Sequence, residues 1–188
     1  MAGSTIETAR LLLVPTTCEL SRVERDPERL AAALGARLAD DWPHPSMHAA
    51  LGAWTDELER RPDLAGWLSW HWLLRQAGGC ELIGHGGFKG EPNDSGAIEL
   101  GYAVVSSRQR RGFAFEATSA LVAWAASDAR VRTIDAEAAS DAARSIGLLE
   151  KLGFRRLPAT DPAVVRFARD VTSCTRAPGT SPFRGRSG

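Results

Sequence analysis

Six consecutive residues, Gln109-Arg110-Arg111-Gly112-Phe113-Ala114, stand between a segment that reads as a strand and one that reads as a helix. Gly112 has no Cβ, so the chain turns tightly there and lets a ligand approach the backbone. The first N–H groups of the following helix have no partner inside it and carry the positive end of its dipole. The chemistry this suits is the binding of an anion, above all phosphate. Arg108, Arg110 and Arg111 add positive charge around the same point. Other patterns fail on context. His44-x-x-x-His48 has the spacing of a helical metal pair, but Pro43 and Pro45 break the helix and no third ligand stands out, so no metal is expected. Gly84-x-Gly86-Gly87 runs into Lys89-Gly-Glu-Pro rather than a helix, the wrong setting for a nucleotide loop. Gly112-x-Ala114-x-x-Ala117 with Asp135 mimics a dinucleotide fingerprint. It comes late, after several strands, and too little chain follows for a doubly wound sheet.

The elements that must position this loop follow from hydrophobic period and breakers. Residues 10–14 read as a buried strand ended by Pro15. Residues 19–36 have helical spacing split near Pro27, and 47–60 read as a second helix with Leu51, Trp54 and Leu58 on one face. Residues 66–76 alternate, Gly78-Gly79 makes a hairpin turn, and 80–88 and 97–105 supply two more strands. After the loop, 113–126 is a helix with Ala114, Ala117, Leu121 and Trp124 inward, and 131–139 is a strand. Residues 141–152 form a helix capped by Ser140 or Asp141 and stopped by Gly153. Two short strands, 154–157 and 164–169, close the domain, and the unit 97–139 is expected to be a right-handed parallel crossover. The pattern predicts a mixed α/β single domain over 6–169, with a twisted sheet of about seven strands flanked by about four helices. Residues 170–188, rich in Pro, Gly, Ser, Thr and Arg, are expected to be a disordered tail.

The chain of 188 residues carries 23 basic and 23 acidic groups, 44% hydrophobic residues and 24% charged ones. These values exclude a wholly disordered chain and disfavour a basic nucleic-acid binder. The zero is a cancellation: residues 1–107 are net −6 and residues 108–188 net +6. Cys18, Cys80 and Cys174 form no CxxC pair, so neither a disulfide framework nor a thiolate zinc site is expected, and a reducing cytoplasm is the natural compartment. The first residues do not read as a signal peptide, and no apolar run approaches the length of about 20 residues needed to span a bilayer.

Three segments together carry a resemblance. Glu99-Leu-Gly-Tyr-Ala-Val-Val105 leads into Gln109–Ala114 and Phe115-Glu116-Ala117; Ser145-Ile-Gly-Leu-Leu-Glu-Lys-Leu-Gly-Phe154 follows; and Glu7-Thr-Ala-Arg-Leu-Leu-Leu13 opens the chain. In this order and spacing they resemble the Gcn5-related N-acetyltransferase (GNAT) superfamily, in particular its ribosomal-protein alanine N-acetyltransferase branch. The resemblance implies a GNAT fold and acetyl-CoA as cosubstrate. It implies an acceptor that is a primary amine, either a protein N-terminus or a small molecule, with no nucleic acid or membrane partner and a monomeric or homodimeric state.

Site residues follow from the same resemblance. Gln109, Gly112 and Ala114 fall on the acetyl-CoA motif, and the backbone at Arg110, Arg111, Gly112, Phe113, Ala114 and Phe115 is implied to hold the pyrophosphate. The strand before the loop is implied to be bulged and splayed from the next. The groups at Val104 and Val105 are then free for pantetheine, and one N–H polarises the thioester carbonyl. Ala142 stands where the family usually has Asn, which removes a pantetheine contact or leaves it to Asp141 or Ser145. Acetyl transfer needs a neutral amine and hence a base. Glu99 is the first candidate, with Glu137 and His85 behind it. Ser145 is the candidate acid or CoA contact, because the one tyrosine, Tyr102, lies on a predicted strand rather than on the later helix. Trp42, in its Pro-bounded loop beside Asp40 and Asp41, is the candidate for binding a cationic acceptor. The rival class is a non-catalytic acyl-CoA-binding or regulatory protein, and a nicotinamide enzyme comes third.

Overall fold

The computed structural model describes residues 4–171. Its single sheet has nine strands: β1 (Ile6–Glu7), β2 (Leu11–Pro15), β3 (Ala36–Leu38), β4 (Ser69–Gln76), β5 (Gly79–Phe88), β6 (Ala97–Val104), β7 (Thr133–Ala139), β8 (Arg155–Leu157) and β9 (Val164–Asp170). They run in the order β1-β2-β4-β5-β6-β7-β9-β8, with β3 beside β5. Five α-helices accompany them: α1 (Cys18–Val23), α2 (Pro27–Leu34), α3 (Thr55–Arg60), α4 (Phe113–Ala126) and α5 (Ala143–Lys151). Among the described residues no helix is long and apolar enough to cross a membrane.

Alternation along β2 sorts its side chains to the two faces. Leu11 and Leu13 join the large core under α4, while Leu12 and Val14 pack with Leu20, Val23 and Leu30 of α1 and α2. The large core is aromatic: Trp70 and Trp72 are fully buried, and Trp124 of α4 lies 4.8 Å from Trp67 and 5.4 Å from Trp70, ring centre to ring centre. The glycines of β5 make room for these rings. A Cβ at Gly84 would stand 2.9 Å from the Trp72 ring and one at Gly87 2.9 Å from the Trp70 ring, while one at Gly86 would meet the backbone of β6 at 2.7 Å. The Gly84-x-Gly86-Gly87 pattern is thus a packing device.

Several boundaries differ from the sequence expectation. Residues 47–60 are not one helix: a short 3-10 turn at Pro45–Met47 and irregular turns lead to α3. Strand β3 follows directly on Gly35, which caps α2 at φ 58°. Its three residues are too few for a periodic signal. Helix α5 starts at Ala143 with Ala142 as a cap that makes no side-chain hydrogen bond, so neither Ser140 nor Asp141 caps it. β9 runs to Asp170 and Val171 is buried. The rest of the expected tail, and Cys174, lie outside the described residues.

The feature that shapes the site is the way β6 leaves β7. The two are parallel, as the crossover predicts, but pair only from Ala97↔Thr133 to Leu100↔Ala136. From Gly101 onward β6 keeps β5 on one side and has no strand on the other. The splay is therefore present without the expected bulge in β6, whose register with β5 is unbroken from Leu100 to Val104.

Candidate functional site

The free half of β6 has a definite polarity. Glu99 accepts from the Lys89 N–H, and the Val105 N–H donates to Ile83, so odd-numbered residues turn their backbone groups to β5. The groups of Tyr102 and Val104 therefore face the gap. The Val104 carbonyl is taken by the Gln109 side chain at 2.9 Å, while Arg144 of α5 donates to the other end of that amide at 3.1 Å. Gln109 is a brace between the end of β6 and the start of α5.

A cavity of about 740 Å³ opens here, between β6, the loop before α4 and the first turn of α5. Arg110 sits at φ 61°, the only non-glycine residue with positive φ among those described, and Gly112 at φ 80°. This double left-handed turn aims successive N–H groups outward. From Arg110 to Phe115 no N–H has an acceptor among the described residues; intrahelical bonding starts with Glu116 donating to Gly112. Six donors in a row, at the positive end of a 14-residue helix, make an anion cradle. The link between β1 and β2 holds it. Arg10 pairs with Glu116 at 2.7 Å, donates to the Arg111 carbonyl and lies 4.5 Å over the Phe113 ring. Burial alone would raise the Glu116 carboxyl, but hydrogen bonds from Thr8 and Arg10 bring it below its ordinary value.

Of the expected cofactor contacts, Val104, Gln109, Arg110, Gly112, Phe113, Ala114, Phe115 and Ser145 line this cavity. Val105 and Arg111 do not. Val105 is fully buried with its N–H committed to Ile83, and the Arg111 carbonyl is held from behind by Arg10. Arg108 borders the cavity, but its guanidinium grips buried Glu81 with two bonds of 2.8 and 2.9 Å. Its charge is spent inside the protein.

A second cavity, about 500 Å³, lies on the far side of β6, and Ser46, Tyr102 and Ala103 border both. Its wall includes Trp54, Ser69, His85, Gly86, Lys89 and Gly101. Glu99 and Trp42 line neither cavity. Glu99 is ion-paired with Lys89 near the closed end of β6, opposite Asp135. Glu137 lies on β7 opposite Arg166, also away from both cavities. Trp42 packs against the two hydrophobic clusters, and its neighbour Asp41 accepts from the backbone and hydroxyl of Ser107 at 2.8 and 2.6 Å. Those bonds hold the Asp41 carboxyl below its usual range.

Tyr102 takes a place that sequence reasoning gave to the later helix. Its hydroxyl reaches across the gap to the Ser145 carbonyl of α5 at 3.4 Å, at the junction of the cavities, and burial pushes its pKa up. The signal was the alternation of β6, which puts Tyr102 on the open stretch with Val104. Also unforeseen is a buried group of Glu24, His71 and His85, whose ligand-type atoms lie within 4.8 Å of one another. These three come from separate elements, and no local spacing announces them. His44, by contrast, bonds Ser46 at 2.8 Å.

Comparison with known proteins gives a consistent picture. The family model for the acetyltransferase (GNAT) domain matches residues 19–155. The uncharacterized N-acetyltransferase YjdG of Bacillus subtilis (strain 168) is 31% identical over 150 residues, covering 79% of this chain and 88% of the relative. Among solved structures, the ribosomal-protein-S5-alanine acetyltransferase of Vibrio fischeri superposes with a TM-score of 0.63 at 14% identity, covering 90% of this chain and 98% of that one. RimJ of Mycobacterium smegmatis, in complex with CoA-disulfide, gives 0.63 at 17% identity, covering 94% and 93%.

Proposed function

Because the chain belongs to the GNAT acetyltransferases, we propose that it moves an acetyl group from acetyl-CoA to a primary amine by direct attack in a ternary complex. The observation that carries this reading is the run of six acceptor-less N–H groups, Arg110 to Phe115, at the mouth of a cleft floored by the half of β6 that has parted from β7. The cradle takes the pyrophosphate. The gap-facing backbone of Tyr102 and Val104 takes the pantetheine arm by short strand-like pairing. The Val104 N–H, whose partner carbonyl is already held by Gln109, polarises the thioester carbonyl.

The acceptor enters through the second cavity and meets the thioester beside Tyr102 and Ala103, where the cavities touch. Its neutral nitrogen attacks the carbonyl carbon, the C–N bond forms, and the C–S bond breaks. The Tyr102 hydroxyl, kept protonated by burial, supplies the proton to the departing thiolate and is restored by the proton that the new amide nitrogen gives up. Ser145 orients that hydroxyl through its carbonyl. A ribosomal L7/L12 α-N-protein acetyltransferase among the structural relatives supports an acceptor with a protein α-amine. The test is release of CoA thiol from acetyl-CoA across short peptides with free N-termini and small primary amines. Thiol release that depends on the amine, with the amine recovered acetylated, is the expected result. CoA binding without turnover on any amine would leave only a binding protein.

A further inference from the structure

Register places two histidines in one row across the sheet. His71 of β4 faces His85 of β5, and His85 faces Ala103 of β6, one residue from Val104. The two rings stand edge to face, 5.3 Å apart. Glu24, just past α1, puts its carboxylate over both. Its Oε1 is 3.1 Å from His71 Nε2 and 3.4 Å from His85 Nε2, and neither contact is aligned as a hydrogen bond. Oε2 accepts the Gly52 N–H at 2.5 Å, from the segment that walls the acceptor cavity. The Thr16 hydroxyl lies 3.3 Å from His71 Nδ1 and 3.4 Å from Glu24 Oε1. Glu24, His71 and His85 are 2%, 0% and 4% exposed, so the protein carries ionisable groups where apolar ones would stabilise it as well.

Burial pushes the His71 pKa down, which favours its neutral ring. The Glu24 carboxylate is then left to balance a proton that arrives on the other ring, His85. Only His85 of the pair lines the acceptor cavity, and with its Nε2 turned to Glu24 its Nδ1 is the nitrogen left to meet a ligand. Building on the acetyl-transfer reading, we infer that His85 takes the proton from the acceptor's ammonium, with Glu24 and His71 as positioning residues. The step balances. R–NH₃⁺ gives one proton to His85, which releases it to solvent. The amine forms the amide bond, and the proton lost from nitrogen in doing so balances the one gained by the CoA thiolate. Glu24 fixes the ring and stabilises the imidazolium, as a buried carboxylate does for a catalytic histidine. Burial alone would raise the Glu24 carboxyl, but the two histidine rings beside it hold it down to about 2, so it remains an anion throughout. Other titratable groups facing His85 across the cavity are Lys89, ion-paired with Glu99, and Tyr102. The same three donors are near enough for a metal ion, and two histidines with a glutamate would also suit one with an open position, so metal-dependent turnover is an outcome of the test.

The test uses the full chain, His85→Gln, and two primary amines, one with a pKa well above neutral and one well below it. With CoA affinity unchanged, the variant is expected to lose about 100-fold in kcat/KM for the high-pKa amine at neutral pH. It should acetylate the low-pKa amine nearly as well as wild type. Glu24→Gln should shift the acidic limb of the pH profile for the high-pKa amine. Wild type alone gives a second readout that needs no variant to fold: the enzyme's acidic limb should vanish with the low-pKa amine. Equal loss on both amines, no loss on either, or an acidic limb that persists with the low-pKa amine overturns the inference. So does stoichiometric zinc whose removal abolishes turnover. Wild type that binds CoA yet releases no thiol with any amine removes the acetyl-transfer reading itself, and the base with it.

Discussion

Along the cavity proposed for the cofactor, the groups turned to the opening are mostly backbone: the N–H groups of Arg110 to Phe115 and the gap-facing edge of β6. Along the cavity proposed for the acceptor they are side chains, His85, Ser69, Trp54 and Lys89, backed by the buried Glu24 carboxylate. The first side gains its positive potential from peptide geometry, and its arginines are partly neutralised, Arg108 by Glu81 and Arg10 by Glu116. The second side keeps its charge in titratable groups. An anchor for a diphosphate works at any ordinary pH and needs no proton change, so fixed dipoles suffice. A site that must strip a proton from an amine needs groups that titrate. The opposed charges of the two sequence halves do not follow this division simply, because Glu81 from the acidic half is bound to Arg108 of the basic half.

The difference can be broken one side at a time. Gly112→Glu forces a side chain onto φ 80° and adds a carboxylate to the cradle, 3.3 Å from Arg10 at its Cβ. CoA affinity measured calorimetrically should fall at least ~100-fold, about 2.7 kcal/mol, with the fold intact by circular dichroism. Tyr102→Phe touches the junction. We expect kcat to fall ~10- to 100-fold with CoA affinity unchanged, since the hydroxyl acts on the leaving thiolate. Gln109→Ala removes a brace with one bond to β6 and one to α5. A rise in KM for acetyl-CoA of about 5-fold is expected, the worth of one net hydrogen bond or so. Glu99→Gln, outside both cavities, should leave kcat/KM within about twofold. A large loss there would return the base to Glu99 and blur the distinction between the two sides.

What was legible in the sequence divides along the same line. The cradle is local: a glycine at φ 80°, an adjoining helix and a preceding strand occupy consecutive residues, so spacing alone located it. The order of the central strands and the parallel crossover were equally visible, because each rests on period and breaker residues. The acceptor side is tertiary. Glu24, His71 and His85 meet only because β4 and β5 pair in register and α1 lies across them. Tyr102 was visible as a strand residue but not as a neighbour of α5, which depends on β6 parting from β7 after Leu100. Trp42 reads in the sequence as a contact for a cationic acceptor in a Pro-bounded loop, whereas it packs against two clusters, a contact between distant segments that composition does not report.

The central claim, that the loop N–H groups hold the diphosphate while β6 presents the thioester, is tested most directly by comparing acetyl-CoA with acetyl-pantetheine. The second lacks the diphosphate but keeps the reacting end. Measured as kcat/KM on wild type and on Gly112→Glu, the preference for acetyl-CoA should be large in wild type and nearly absent in the variant, with activity on acetyl-pantetheine little changed. A preference for acetyl-CoA that survives undiminished in Gly112→Glu would contradict the account.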